Sequence, residues 1–384
     1  MSIYEISKPT HLITGNGPHG FLMVPDSRGI TIAAVGDIFP GDHYFSLGHG
    51  MLSRTERGTL ADLFADSKAI LQDSDLAICN LEGPLSQRSA QTRRAEASAF
   101  RGVPQFCDLL ADAGFTHVNV ANNHITQHGS DAFHDTLQSL KDRGISVIGL
   151  AERSGNRISI PAISRVHGRT ICVVGYSTVP ERYSPPPLPY AHFTDHRHVT
   201  AEITSLSREY DHVVVCCHAG DEGMSRPSRN LVSMYRQFVD AGARCVFGHH
   251  PHAFQPIERY RDGLIAYSLG DFAFDLFWDR AANRTAILQA RIASEGIDAH
   301  LVPMRFSRNY RVLKVSQRSA QQFKRVFDGD VPITTFTDDQ YELLRSRYER
   351  SNSYRKAWYF LRNLLRGDTQ LKLEFLIAKL SARF

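Results

Sequence analysis

From Ile30 to about Leu150, short apolar runs alternate with stretches of helical spacing. "ITIAAV" (30–35), "LAIC" (76–79), "HVNVAN" (117–122) and "ISVIG" (145–149) predict strands. "GTLADLFADSKAILQDSD" (58–75), "PQFCDLLADAG" (104–114) and "DAFHDTLQSLKDRG" (131–144) predict helices, the last two stopping on glycine. Continuous apolar strands between helices predict a sheet buried on both faces. Beyond 160 the pattern turns to hairpins, at 162–177 and 257–270, and a proline-rich loop spans 184–198. "HVVVCC" (212–217), a helical stretch (228–242) and "CVFG" (245–248) restore strand, helix, strand. Two antiparallel strands follow over 285–306, and from about 316 the pattern is helical. The chain divides into a loop segment (1–29), an α/β domain (30–310) and a helical, basic extension (311–384).

The polar residues fall at repeated places on this map. Asp37 follows "ITIAAVG", and Asn80 and Glu82 follow "LAIC". Asn122, Asn123 and His124 follow "HVNVA". His218 follows "VVVCC", and His249, His250 and His252 follow "CVFG". Each cluster sits just past the C-terminal end of an apolar strand, the edge where open α/β sheets bind ligands. Aspartate, glutamate, asparagine and histidine without cysteine suit Mn²⁺, Zn²⁺ or Fe, as one or two ions. Alternation past the strand end predicts that His250 and His252 point to one site while His249 points elsewhere.

Composition narrows the classes. The 384 residues are 42% hydrophobic and 22% charged, as in an ordinary globular protein. A formal net charge of +4 gives no ground for a nucleic-acid partner. The polar start and the lack of a long apolar stretch predict a cytoplasmic protein. The six cysteines form no CxxC pair and lie in apolar runs or a helix, so they predict buried thiols. Charge is segregated: 341–384 holds ten Lys/Arg and four Asp/Glu, leaving the remainder at −2. Trp358, Leu361, Leu364 and Leu365 recur near one helical face there, which predicts packing on the main domain, with a membrane-surface or protein contact as the alternative.

The motifs "GDIFPG" (36–41), "NLEGPL" (80–85), "ANNHITQHG" (121–129), "HAGDEGMSRP" (218–227), "GHHPHAFQPIE" (248–258) and "YSLGDFAFD" (267–275) together resemble the CapA family of poly-γ-glutamate capsule synthesis proteins, a branch of the calcineurin-like metallophosphoesterases. The resemblance covers about residues 30 to 280 and implies a four-layer α/β/β/α sandwich. It implies one metal position at Asp37 and His252, another at Asn123, His218 and His250, with Glu82 bridging. His124 is similar to the superfamily's catalytic histidine, with Asp37 and His252 as further catalytic candidates. Asn122, Glu222 and His249 are the substrate-contact candidates.

Departures from the pattern carry their own expectations. Phe39 stands where the superfamily has a histidine, so the Asp37/His252 position is expected to be weak or empty. Gln127 and Asp271 replace a usual Asp and Asn, and Ala219 and Gly223 replace aromatics, which predicts a wider mouth. The implied activity is metal-dependent hydrolysis of a phosphoester or amide-type bond in an anionic small molecule, peptide or polymer. Two other readings fit the motifs: a metal-independent peptide epimerase using Asp37 and His252 as its acid/base pair, and a non-catalytic binder of an acidic polymer.

Overall fold

The computed structural model describes residues 4–5, 29–153, 157–279, 282–316, 333 and 336–381. Most of the expected N-terminal loop segment and of 317–335 lies outside the described residues. In chain order the first half holds β1 (Tyr4–Glu5), β2 (Ile30–Ile38), α1 (Met51–Glu56), α2 (Lys68–Gln72), β3 (Leu76–Leu81), α3 (Arg94–Ser98), α4 (Phe106–Ala113), β4 (His117–Asn119), α5 (Gly129–Lys141) and β5 (Ser146–Ile148). Next come β6 (Ala162–Val166), β7 (Arg169–Ser177), α6 (His196–Glu209), β8 (His212–His218), α7 (Arg229–Asp240) and β9 (Ala243–His249). The remainder is β10 (Ile257–Tyr260), β11 (Gly263–Ala266), β12 (Asp271–Ala273), β13 (Arg284–Ala293), β14 (Gly296–Phe306), β15 (Val312–Lys314), α8 (Asp338–Asn363) and α9 (Thr369–Ser381).

Two sheets result. One runs β1-β14-β13-β2-β3-β4-β5, with β12 beside β2 and β15 beside β14; the other runs β10-β11-β9-β8-β7-β6. Strand periodicity explains how they stack. Ile30, Ile32 and Ala34 of β2 and Leu76 and Ile78 of β3 meet Ile171, Val173, Val214, Cys216, Cys245 and Phe247 of the second sheet. The alternate residues face outward: Ala33, Val35, Ala77 and Cys79 pack with Phe106 and Leu110 of α4 and Phe133 of α5. Cys172, Val174, Val213 and Val215 pack with Ile203 of α6 and Tyr235 of α7. The order of layers is therefore helix, sheet, sheet, helix, and the central strands are apolar on both faces as their unbroken runs require. All six cysteines are buried and unpaired.

The 58–75 stretch is not one helix; turns carry it to α2. Leu60, Leu63, Phe64 and Leu71 are nonetheless all buried, because successive turns serve the same spacing.

Where the strands end, the backbones close on each other. A Cβ on Gly36, just before Asp37, would stand 1.8 Å from the Gly270 carbonyl oxygen, and one on Gly248 2.0 Å from that of Tyr267. Neither neighbour is a side chain that can swing away. Gly36→Ala is expected to cost about 1–3 kcal/mol through overpacking. A urea unfolding midpoint equal to the parent's would refute the close approach.

The C-terminal helices dock on the rim of the strand ends. A capping box of Thr337 and Gln340 starts α8. Its inward stripe carries Tyr341, Arg345, Tyr348, Asn352, Lys356, Phe360 and Asn363, and not the leucine-rich face the sequence pointed to. Trp358, Leu361 and Leu365 are instead 61%, 66% and 86% exposed. The tyrosines win the inward face because it is polar: Tyr341 and Arg345 reach Asp221, and Tyr348 and Arg355 reach Asp279. Lys372 of α9 donates to the carbonyls of Asn363 and Arg366, where a cation satisfies the end of α8. No described helix is long and apolar enough to cross a membrane.

Candidate metal centre

Strand register assembles the site. Asp37 pairs with Asn80 across β2 and β3 and with Asp271 across β2 and β12. Asn80 pairs with Asn119 of β4, and His218 with His249 across β8 and β9. Both sheets thus deliver their polar ends to one rim.

Two groups of potential ligands lie there, each with donor atoms within 4.8 Å of one another: Glu82, His218 and His250, and Asp37, His252 and Asp271. Glu82 Oε1 links them, 3.8 Å from His218 Nε2 and 3.7 Å from His252 Nε2. His252 Nδ1 is 2.8 Å from Asp271 Oδ1 and 3.6 Å from Asp37 Oδ2. Asn123 Oδ1 lies 3.0 Å from His218 Nε2, beside the first group.

His250 and His252 do not reach the site by strand alternation, since β9 ends at His249. They reach it through left-handed backbone, with φ of 93° and 54°. Such conformations cost about 1–3 kcal/mol each and gather at functional sites. Part of that cost is offset where the His250 amide donates to Asp37 Oδ2 at 3.1 Å.

The donor set fits a cation. Asp37, Glu82 and Asp271 are fully buried. Both Glu82 oxygens, Asp271 Oδ2 and His250 Nδ1 have no hydrogen-bond partner. Buried charge without compensation costs several kcal/mol, so orphaned carboxylate oxygens are expected where an ion supplies the missing interaction. Burial pushes the Glu82 carboxyl well above its usual range, and burial raises Asp271 to about 7. His218 and His250 are held neutral, chiefly by burial. His252 moves the other way: burial opposes its charge, but Asp271, Glu82 and Asp37 outweigh that and raise it. Three buried acids face one imidazolium, so releasing the protons of Glu82 and Asp271 leaves an excess of negative charge that divalent ions would balance. Asp271 stands as a third potential donor beside Asp37 and His252. Phe39 instead stacks on Phe274, whose ring stands against His252.

Two substrate-contact expectations are also corrected. Asn122 is buried and its amide is spent on the scaffold, donating to Leu81 O and Asn80 Oδ1 and accepting from the His124 amide. His249 is buried with Nε2 3.2 Å from Val35 O, inside the sandwich rather than in the site. Glu222 is at the surface, within electrostatic reach of His252, His250 and His124. Burial works to raise its carboxyl, but the charges of His252, His250, Lys356 and His124 give a net downward shift.

His124 is half-buried and stacks on Phe100 with ring centroids 4.8 Å apart. Its Nδ1 lies 2.8 Å from Gln127 Oε1, which fixes the ring and leaves Nε2 for proton transfer. Burial lowers its pKa, so it is neutral near pH 7.

Sequence reasoning missed several members of this neighbourhood. Asn80 was placed at the strand end but given no role; it donates to Asp37 Oδ1 at 2.8 Å and sets that carboxylate. The wider mouth expected from Gly223 is absent, because a Cβ there would fall 1.8 Å from Tyr348 Cζ. The ring from α8 fills the place of the lost aromatic. Lys356, two turns further along α8, lies close enough for its charge, after burial, to lower the pKa of His43.

The family model for "Bacterial capsule synthesis protein PGA_cap" matches residues 31–276. The PGA biosynthesis protein CapA of Bacillus subtilis (strain 168) is 27% identical over 273 residues, 70% of this chain and 69% of that protein. The capsule biosynthesis protein CapA of Bacillus anthracis is 26% identical over 279 residues, 71% of this chain and 66% of the relative. Among solved structures, a Staphylococcus aureus protein described as a 5′-nucleotidase, in complex with alpha-ketoglutarate, superimposes with a TM-score of 0.44 at 16% identity, covering 84% of this chain and 58% of that one. The match over 31–276 spans more than half of the chain, which therefore belongs to the PGA_cap family of bacterial capsule synthesis proteins.

Proposed function

We propose that the chain is a metal-dependent hydrolase of a phosphoester or amide-type bond, acting in the synthesis or processing of poly-γ-glutamate, another capsule polymer or a peptide. The observation that carries this is Glu82: both its oxygens are buried without a partner between two three-residue ligand sets. Asp37, His252 and Asp271 would hold one ion, and His218, His250 and Asn123 the other, with Glu82 between them. Ions so held would polarise the scissile group and lower the pKa of a water. Asn80 keeps Asp37 in place. His124, positioned by Gln127 and Phe100, would take a proton from the attacking water at Nε2 and return it to the leaving atom. Glu222 faces the substrate at the mouth.

The epimerase reading requires Asp37 and His252 on opposite sides of one carbon. Their polar atoms stand 3.6 Å apart and face each other, with no room for a substrate Cα between them. The hydrolase is tested on p-nitrophenyl phosphate and γ-glutamyl-p-nitroanilide. Turnover of at least one should vanish on chelation and return with Mn²⁺ or Zn²⁺. Bound metal without turnover of either would favour the polymer binder instead.

A further inference from the structure

A groove away from the metal centre is lined by arginine. A cavity of about 600 Å³ opens between Arg284 of β13, Arg305 of β14, and Arg308 and Arg311 of the following turn. A second, of about 120 Å³, shares Phe277 and Arg308 with it and adds Arg54, Arg362 and Arg366. Neither has an acidic residue in its lining. Among the described residues, Arg311 is the one of these arginines that reaches carboxylates, Asp62 at 3.8 Å and Asp66 at 4.0 Å.

Like charges gather here. Arg284 and Arg305 are direct cross-strand partners, and like charges directly opposite destabilise a sheet. Arg362, in the last turn of α8, and Arg366, just past its end, add two more cations to the second cavity. The two pairs line adjoining cavities that share Phe277 and Arg308. Arg54 lies over the Tyr310 ring at 4.2 Å, and Arg362 over Trp358 at 5.1 Å, so two of these guanidinium groups are held by ring faces instead of carboxylates.

We propose that this groove binds a linear polycarboxylate of the polyglutamate type. Planar guanidinium forks match carboxylates two bonds at a time, and a row of them matches a chain bearing one carboxylate per unit. The choice of a polycarboxylate over a nucleic acid rests on the capsule-polymer reading above; the groove itself does not depend on catalysis.

The test is fluorescence anisotropy of fluorescein-labelled poly-γ-glutamate with the chelated full chain, which separates this binding from turnover. Binding should weaken steeply with salt. The double variant Arg305→Glu/Arg308→Glu should bind at least about tenfold more weakly, the equivalent of about 1.4 kcal/mol. Arg362→Glu, on the exposed side of α8, provides a second variant should the first misfold. Hydrolysis of p-nitrophenyl phosphate by the metal-loaded variants should match the parent's. Parent-like polymer binding by the well-folded variants would overturn the proposal. So would displacement of the polymer by an oligonucleotide of equal charge at lower concentration.

Discussion

Glu82→Gln should abolish metal binding and make the metal-free protein more stable. The glutamine keeps the shape but removes a buried acid that must take up a proton to fold above the ordinary carboxylate range. Relief of that uptake is worth about 1.4 kcal/mol for each pH unit it spans. The same change removes the oxygen that stands 3.8 Å from His218 and 3.7 Å from His252, so neither ligand set keeps its shared donor. Hydrolysis should fall by a factor on the order of a thousand. A residue retained at a cost in stability is one selected for function. Thermal melts with and without Mn²⁺ check both halves: the variant should melt higher than the parent without metal and show no gain with it. A variant that melts lower in both conditions would mean that Glu82 is a structural residue.

The second large effect is the dependence of metal stabilisation on pH. In the metal-free protein Glu82, Asp271 and His252 all have raised pKa values. For the two acids, the folded state keeps protons that the unfolded state has released above the ordinary carboxylate range. For His252, the stability gained from its charge is complete below the ordinary histidine value and is lost as pH rises through the raised one. All three therefore make metal-free stability fall as pH rises toward and past neutrality. The neutral histidines His218 and His250 have lowered values, so they act in the acid range and not above it. Metal binding needs deprotonated ligands, so Mn²⁺ should raise the melting temperature more at pH 8 than at pH 6. Equal shifts at both pH values would contradict the electrostatics of the centre.

Much of this centre is legible in the chain because register is local. Apolar runs place Asp37, Glu82, His218 and His250 within one residue of the C-terminal ends of β2, β3, β8 and β9, and the sandwich turns those ends to one rim. Asp271 was visible only as a departure in "YSLGD"; its role depends on β12 pairing with β2, which no periodicity announces. Asn122 and His249 sat beside the right motifs but turn inward, because hydrogen-bond partners decide a buried side chain's direction and the pattern does not name partners. Tyr348 and Lys356 were illegible for another reason. They come from a helix far along the chain, beyond the family match, whose inward face is polar and whose apolar face is exposed. Hydrophobic periodicity points to the wrong face of such a helix.

The central claim is that the two ligand sets around Glu82 hold divalent ions. Elemental analysis of protein purified without chelator, then supplied with Mn²⁺ or Zn²⁺, measures this directly. The account predicts two ions per chain, one for each set, both lost in Glu82→Gln. Parent protein that retains no ion after that loading would contradict it.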